Sequence, residues 1–279
     1  MTEAPQLGPG RKLADDERRS ALDALHLATG VVLFEFMREP RGIRDNILRN
    51  YVARAEKLTQ AVFVLWALDD FQGCGILFRC LLERYLLIRH LWDTGAFEDF
   101  EEWSFFEQFK AVQRVRGDSA VDTSRSDLFV PPTDQQRERA AALFKNPPKW
   151  RRPKAEDVAK ALDLGFLYTY GYLHASAQVH PMADDGLQDF HLLTGAEPAP
   201  DFPDQSAVLG NSLLVNTMLL QDAMNASSMR WMALVFNSLA DIREFLATSQ
   251  HDMTERMSTL AAAFHQNMVL SEPRPTENA

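Results

Sequence analysis

Residues 76–92 read Ile-Leu-Phe-Arg-Cys-Leu-Leu-Glu-Arg-Tyr-Leu-Leu-Ile-Arg-His-Leu-Trp. Apolar side chains occur here on nearly every side of a helix, and Gly95 follows as a helix terminator. A helix that is apolar on all sides is usually buried on all sides. We therefore predict a central helix over residues 76–93, surrounded by other helices.

The segments on both sides of this helix space their apolar residues three and four positions apart, which also predicts helices. The predicted ranges are 13–38, 43–68, 97–115, 133–144, 155–164, 166–180, 206–248 and 251–269, and the segment 206–248 is long enough to be kinked or split. Residues 182–206 are rich in glycine and proline and are predicted to be irregular, with a short extended piece at Phe190–Leu193. Strand patterns are too sparse for a parallel sheet, so we predict an all-α bundle of about eight helices.

Length and composition indicate one domain with a large core. The chain has 279 residues, of which 46% are hydrophobic and 24% charged. We predict a single α-helical domain over residues 13–270, with disordered tails at 1–12 and 271–279. A net charge of −10 argues against a broad nucleic-acid-binding face, so any RNA contact is expected to be local. Without a signal-peptide pattern or a long uninterrupted apolar run, we expect a cytoplasmic protein with no membrane contact.

The motifs of several enzyme classes are absent from the sequence. It contains no phosphate-binding glycine loop, dinucleotide-binding fingerprint, nucleophile elbow or H-E-x-x-H motif, and no Glu-x-x-His pair of a di-iron bundle. Cys74 and Cys80 lie six apart in a predicted helix, which suits neither a disulfide nor a zinc site. We therefore expect reduced thiols, no bound metal and no cofactor.

Arg79 and Glu83 interrupt the apolar surface of the central helix. They lie four residues apart, so both side chains are on one face, one turn from each other. Burying an unpaired charge costs several kcal/mol, so such residues are either paired or functional. Two interpretations stay open, a structural ion pair and one half of a polar site.

The predicted helix 166–180 carries a second polar stripe. Tyr172, Ser176 and His180 are spaced four and four, on one face, and Pro181 ends the helix. Hydroxyls can hydrogen-bond to charged partners on another helix, and a histidine can transfer protons near neutral pH. Alternatively, His180 interacts with the partial negative charge at its own helix C-terminus. Combined with the charged pair on the central helix, the stripe favours a shared interior site.

Residues 145–154 form a proline-rich basic connector around one aromatic residue. Lys149, Trp150, Arg151 and Arg152 combine positive charge with a ring that can stack, which is typical of contacts to single-stranded RNA. A solvated loop is the alternative.

Arg84 and His90 form an R-x5-H string. This string is similar to the R-x4-to-6-H spacing of the HEPN (higher eukaryotes and prokaryotes nucleotide-binding) ribonucleases, in which a histidine and an arginine support attack of a ribose 2′-hydroxyl on the adjacent phosphate. On a straight helix the two side chains point about 120° apart, so they also fit the solvated edge of a buried helix.

Three ordered elements together resemble an uncharacterised bacterial family of helical proteins of unknown function. They are an R-x3-E motif at Arg79–Glu83, the Lys149-Trp150 connector and an S-x3-H-P motif at Ser176–Pro181, and the resemblance covers roughly residues 50–185. It implies a HEPN-like helical organisation, a role as a toxin or antiphage effector, and pairing into homodimers. The site residues that it implies are Arg79, Glu83, Ser176 and His180. Arg84 and His90 of the R-x5-H string are not among them.

Three functional hypotheses follow. The first is a HEPN-like, metal-independent endoribonuclease in which His180 acts as general acid or base, Arg79 stabilises phosphate charge and Glu83 orients one of them. The second is a non-catalytic interaction module, with the methionine-rich segment 206–248 as a dimer face. The third is a small-ligand sensor with a buried Arg/Glu/Ser/His cluster. A regulatory protein partner is compatible with each.

Overall fold

The computed structural model describes residues 14–38, 42–118, 131–177, 179, 183–184, 186–196, 205–229, 232–248 and 253–271. Within these ranges the chain forms eleven α-helices and one π-helix, and no strand. The predicted all-α class is therefore confirmed, whereas the predicted count of about eight helices is too low. The tails predicted at 1–12 and 271–279 lie outside the described residues, apart from Ser271, which ends the last helix.

The helices follow the predicted ranges closely in the first half of the chain. In order, they are α1 Asp15–Met37, α2 Ile43–Trp66, α3 Phe71–Thr94, α4 Phe97–Arg116, α5 Asp134–Lys145, α6 Ala155–Ala161, the π-helix Leu167–Leu173, α7 His174–Ala177, α8 Leu187–Thr194, α9 Ala207–Ala226, α10 Ala233–Thr248 and α11 Thr254–Ser271. The predicted segment 206–248 is split into α9 and α10. The predicted extended piece Phe190–Leu193 is wrong, because these residues lie in α8.

Two helix starts show why the sequence forms these elements. At α5, the Thr133 hydroxyl accepts a hydrogen bond from the Gln136 amide at 3.2 Å, and the Gln136 side chain accepts one from the Thr133 amide at 2.9 Å. This capping box satisfies two amides that have no partner within the helix. At α3, Asp70 Oδ1 accepts a hydrogen bond from the Gly73 amide at 2.7 Å, so the helix begins at Phe71, earlier than predicted.

The chain divides into two compact units instead of the single domain predicted over 13–270. One unit comprises Met1–His90 and Ala155–Ala279, and the other comprises Leu91–Lys154. In the first unit, α1 packs against α2, α9, α10 and α11, and α9 packs against α2 and α10. In the second unit, α4 packs against α5.

Helix α9 is a core element of the first unit. Its fully buried side chains include Leu213, Leu219 and Leu220, and Met224 is also buried. The buried Asn216 side chain donates a hydrogen bond to the Thr59 hydroxyl of α2 at 3.0 Å. Within the methionine-rich segment, Met224 is therefore a core residue.

Helix α1 has the length and composition of a membrane-spanning helix. One 18-residue window has a mean hydropathy of 1.4, and 39% of that window is buried. Core helices of soluble proteins share these properties, and α1 contacts four other helices. Localisation therefore stays a prediction.

The predicted central helix corresponds to α3, which is buried on more than one side. Cys74, Leu81, Leu82, Ile88 and Leu91 are fully inaccessible. The Cys74 thiol donates a hydrogen bond to the Val62 carbonyl of α2 at 3.2 Å, and burial raises the pKa of Cys74 to about 12. This thiol is therefore protonated and acts as a core group.

Candidate functional site

The segment that carries the second polar stripe was predicted as a helix over 166–180, and part of it is wound as a π-helix. Leu167–Leu173 forms a π-helix, which continues into α7, His174–Ala177. A π-helix has a wider turn than an α-helix and is frequent at functional sites. Within it, the Tyr168 and Tyr172 rings stack with centroids 5.4 Å apart and planes inclined by 16°.

Gly171 allows the π-helix to approach α3 closely. A Cβ atom at this position would lie 2.9 Å from Leu82 Cδ1 and 3.8 Å from a ring carbon of Phe78. Leu82 is fully buried, so its side chain has little room to move away. The absence of a side chain at Gly171 therefore positions Tyr172, the next residue, opposite α3.

We predict that Gly171→Ala lowers the free energy of unfolding by about 1–3 kcal/mol, because the added methyl group overpacks the contact with Leu82. Chemical unfolding in urea measures the change. Gly165→Ala is the matched control, because no atom lies within 4 Å of a Cβ at that glycine, and we expect it to be neutral or slightly stabilising. Equal stability of the two variants would show that the close approach is not a constraint.

Arg79, Tyr172 and Glu83 form one hydrogen-bonded network between α3 and the π-helix. Arg79 Nη2 donates to the Tyr172 hydroxyl at 3.0 Å, and that hydroxyl donates to Glu83 Oε1 at 2.9 Å. Arg79 Nη2 also lies 3.5 Å from Glu83 Oε1, as expected for an (i, i+4) ion pair. We call these three residues the Arg–Tyr–Glu network.

The network is partly accessible to solvent and contains a permanently charged guanidinium. The side chains of Arg79 and Glu83 are 20% and 24% exposed, and the Arg79 guanidinium lies 4.9 Å from the Tyr172 ring centroid. The hydrogen bond to Tyr172 raises the pKa of Arg79 above its ordinary value, so the guanidinium is permanently charged. Its Nε is buried and has no hydrogen-bond partner. Such an incompletely satisfied cation can attract an anion.

The other two residues of the predicted stripe differ in what the structure describes. The Ser176 hydroxyl donates to the Tyr172 carbonyl of its own helical segment at 2.7 Å, so in this arrangement it does not bond to a charged partner on α3. His180 lies outside the described residues. Of the second stripe, Tyr172 is the residue that contacts Arg79 and Glu83.

The R-x5-H string also lies on α3, and its arginine bonds within that helix. Arg84 Nη1 donates to the Cys80 carbonyl of the same helix at 2.6 Å. Six positions along a continuous α-helix place the His90 side chain about 120° around the helix axis from that of Arg84.

The basic connector belongs to the second unit, with Lys149, Arg151 and Arg152 exposed. The Trp150 ring is half-buried and packs against Phe100 and Trp103 of α4, with centroid distances of 5.2 and 4.9 Å. Arg151 Nη1 donates to the Trp150 carbonyl at 2.7 Å. Trp150 therefore has a packing role within its own unit, in addition to the RNA contact predicted for the connector.

Sequence reasoning missed a second polar network, buried in the first unit. Asp222 of α9 lies with its Oδ2 atom 3.5 Å from Arg89 Nε of α3, and Tyr85 and Arg243 also act on this carboxylate. Arg243 donates from Nε and Nη2 to the hydroxyl and carbonyl of Thr217, both at 3.0 Å. The available signal was a lone aspartate in the apolar helix α9, which requires a buried partner.

Burial dominates the electrostatics of this second network. Desolvation raises the pKa of Asp222 to about 6, despite the two nearby guanidinium groups. It also raises the pKa of Tyr85 and lowers the pKa of Arg243. We call Tyr85, Arg89, Asp222 and Arg243 the buried Asp222 network. Among the described residues, no group of three or more His, Cys, Asp or Glu side chains is placed to hold a metal ion.

The fold and the site together define an all-helical protein with a charged polar network between a central α-helix and a π-helix. Residues 45–195, more than half of the chain, match a family of unknown function, DUF5677. The chain belongs to this family. The matched range includes the Arg–Tyr–Glu network, whereas Asp222 and Arg243 lie beyond it. The chain matches no curated protein and no solved structure.

Proposed function

We propose that this protein is a HEPN-like, metal-independent endoribonuclease whose reactive site contains Arg79, Glu83, Tyr172 and His180. The observation that carries the proposal is the Arg–Tyr–Glu network, in which a guanidinium and a carboxylate on the mainly apolar helix α3 share one phenol hydroxyl. The network keeps about a fifth of each charged side chain accessible, which a phosphate group needs in order to reach it.

The proposed chemistry uses groups of this chain alone. Attack of a ribose 2′-hydroxyl on the adjacent phosphorus breaks the bond to the 5′-oxygen and leaves a 2′,3′-cyclic phosphate and a 5′-hydroxyl end. The step requires a base for the 2′-proton, an acid for the leaving oxygen and a cation for the charge on phosphorus. His180 serves as acid or base, Arg79 stabilises the phosphate, and Glu83 orients its partners through Tyr172.

Three related expectations belong to this proposal. A cytoplasmic location gives access to RNA, a homodimer follows from the HEPN-like resemblance, and a toxin or antiphage role would require a regulatory partner. The exposed Lys149, Arg151 and Arg152 of the second unit are a separate proposed contact for RNA. Ser176 is proposed to support the π-helix, because its hydroxyl bonds to the Tyr172 carbonyl.

A second proposal is a non-catalytic module or sensor in which the Arg–Tyr–Glu network holds the π-helix against α3. The observation that favours it is that the three groups bond to one another, as in a structural cross-link. The two proposals differ in one measurable respect. A structural network affects stability alone, whereas a catalytic one affects cleavage in variants that remain folded.

We expect the purified full chain to cleave a mixture of single-stranded RNA and transfer RNA in EDTA, and to produce 2′,3′-cyclic phosphate ends. His180→Ala, shown to be folded by circular dichroism, is expected to abolish cleavage. His265→Ala, which replaces an exposed histidine of α11, is the matched control and should retain it. Absence of cleavage by the wild type would favour the structural proposal, and full activity of His180→Ala would remove His180 from the site.

A further inference from the structure

The first unit contains an open pocket of about 830 Å³ that shares no lining residue with either polar network. It lies between the first turns of α1, the last turns of α2 and the turn that follows them, and the start of α9. A pocket of this size is typical of sites for drug-sized organic molecules. The chemistry of its walls therefore indicates the kind of molecule that fits.

Most of the wall is apolar. Leu22 of α1, Phe63 and Trp66 of α2 and Leu209 of α9 line it, and Leu209 belongs to a buried cluster against which Phe63 and Trp66 pack. The Trp66 ring contacts Phe71 edge-on at 4.8 Å, which fixes the indole. An aromatic or aliphatic body would be removed from water on this surface.

The rim of the pocket also exposes apolar side chains. Val64 and Leu68 are 60% and 70% exposed. Isolated apolar residues on a surface are ordinary, but these two border a concave apolar wall. A ligand that fills the pocket would extend the apolar contact to both.

One wall carries a guanidinium group that is mostly buried and poorly satisfied. The Arg18 side chain is 11% exposed, and its guanidinium lies 5.7 Å from the Trp66 ring centroid. Among the described residues, its one hydrogen-bond partner is Asp15, which accepts from Nη1 at 3.1 Å. Arg18 Nε is buried without a partner. A guanidinium has five N–H donors, so this group can accommodate a further acceptor.

The remaining charges on the wall favour an anion over a cation. Asp15, Asp69 and Arg19 also line the pocket, but Asp15 is 91% exposed and Asp69 is exposed as well. Exposed carboxylates are screened by water and salt and attract a cation weakly. The buried guanidinium of Arg18 interacts more strongly, because the surrounding dielectric constant is lower.

We propose that this pocket binds a small organic monoanion, with its acidic group at Arg18 and its apolar body against Leu22, Phe63, Trp66 and Leu209. The acidic group replaces or joins the exposed Asp15 carboxylate beside the guanidinium. The site is independent of the proposed ribonuclease activity, because it uses none of the same residues.

Two fluorescent probes test the proposal on the full chain. Anilinonaphthalene sulfonate has an apolar aromatic body and one sulfonate, and phenylnaphthylamine has the same ring system without the charge. Titration should show that both bind and that Arg18→Gln weakens the sulfonate about tenfold, which corresponds to about 1.4 kcal/mol, while changing the neutral probe less than about twofold. Arg38→Gln is the matched control, because Arg38 forms the same (i, i+3) pair with Glu35 at the other end of α1 and does not line the pocket. It should leave both probes unchanged.

A second variant keeps the test decisive if Arg18→Gln does not fold. Leu68→Glu changes an exposed rim residue and adds a negative charge at the pocket entrance, so it should weaken the sulfonate several-fold more than the neutral probe. Failure of the sulfonate to bind the wild type would overturn the proposal. So would equal loss of both probes in Arg18→Gln, or no selective loss of the sulfonate in Leu68→Glu.

Discussion

Between pH 5 and pH 7, the wild-type protein is expected to lose about 1.4 kcal/mol of unfolding free energy relative to Asp222→Asn. The cause is the buried Asp222 carboxylate, whose pKa is raised from 3.8 to about 6 by desolvation. Over the whole titration, this shift of about two pH units corresponds to about 3 kcal/mol.

The direction follows from proton binding. Between pH 3.8 and pH 6 the folded protein holds the Asp222 proton, whereas the unfolded chain has released it. Stability from this group is therefore highest below the unfolded pKa and falls as pH rises through the folded value. The groups that face Asp222 are Arg89 and Tyr85 of α3 and Arg243 of α10.

Urea unfolding at several pH values measures the effect as the difference between wild type and Asp222→Asn. Thr217→Val is the matched control, because it removes the hydroxyl to which Arg243 donates and no titratable group. Its loss of stability should be the same at every pH. A difference between wild type and Asp222→Asn that does not change with pH would show that the carboxylate is already ionised at pH 5.

The helical fold could be predicted from the sequence because its causes are local. Thr133 and Gln136 form the capping box that the sequence indicates, and α2 and α4 begin at the residues where apolar spacing starts. The segment 76–92, which is apolar on nearly every side, lies in α3, and α3 is buried on several sides. Each of these features depends on side chains within one or two turns of each other.

Two of the departures in the fold, the π-helix and the division into two units, depend on contacts between distant segments. Gly171 meets Leu82 across the interface between the π-helix and α3, and this close approach is invisible in a window that contains only residues 166–180. The division into two units likewise depends on which helices pack together, which apolar spacing alone does not specify. The apolar spacing therefore predicted that residues 166–177 are helical, but it did not predict that Leu167–Leu173 forms a π-helix instead of an α-helix.

The candidate site was predictable only in part for the same reason. The (i, i+4) spacing of Arg79 and Glu83 indicates a shared face, and the pair is observed. Tyr172 was named as a further candidate, but its position as the bridge between the two charges depends on the π-helix. Asp222 was missed, because its partners Arg89 and Arg243 come from two other helices.

If the ribonuclease proposal is correct, Arg79→Ala is expected to reduce kcat/KM for RNA cleavage by about 10²–10³-fold, the usual effect of removing one donor that stabilises transition-state charge. Arg84→Ala is the matched control, because Arg84 lies five residues later on α3 and its guanidinium donates to the Cys80 carbonyl of its own helix. We expect Arg84→Ala to retain activity within about threefold, below the 1.4 kcal/mol that a tenfold change represents. Single-turnover cleavage of a labelled RNA measures both.

Arg79→Ala and Arg84→Ala together show which of the two arginines contributes to cleavage. Loss of activity in Arg84→Ala and in His90→Ala, with activity kept in Arg79→Ala, would move the reactive site to the R-x5-H string.

The Tyr172→Phe variant distinguishes a catalytic role of the hydroxyl from a structural one, because it keeps the ring beside Arg79 and removes the hydroxyl that joins Arg79 to Glu83. If the hydroxyl orients reactive groups, kcat should fall while KM and the melting temperature change little. If it holds the π-helix on α3, the free energy of unfolding should fall by about 1.5–3 kcal/mol, the usual effect of losing a hydrogen bond to a charged group, and the melting temperature should fall with it. The cleavage rate of the folded variant should then be unchanged.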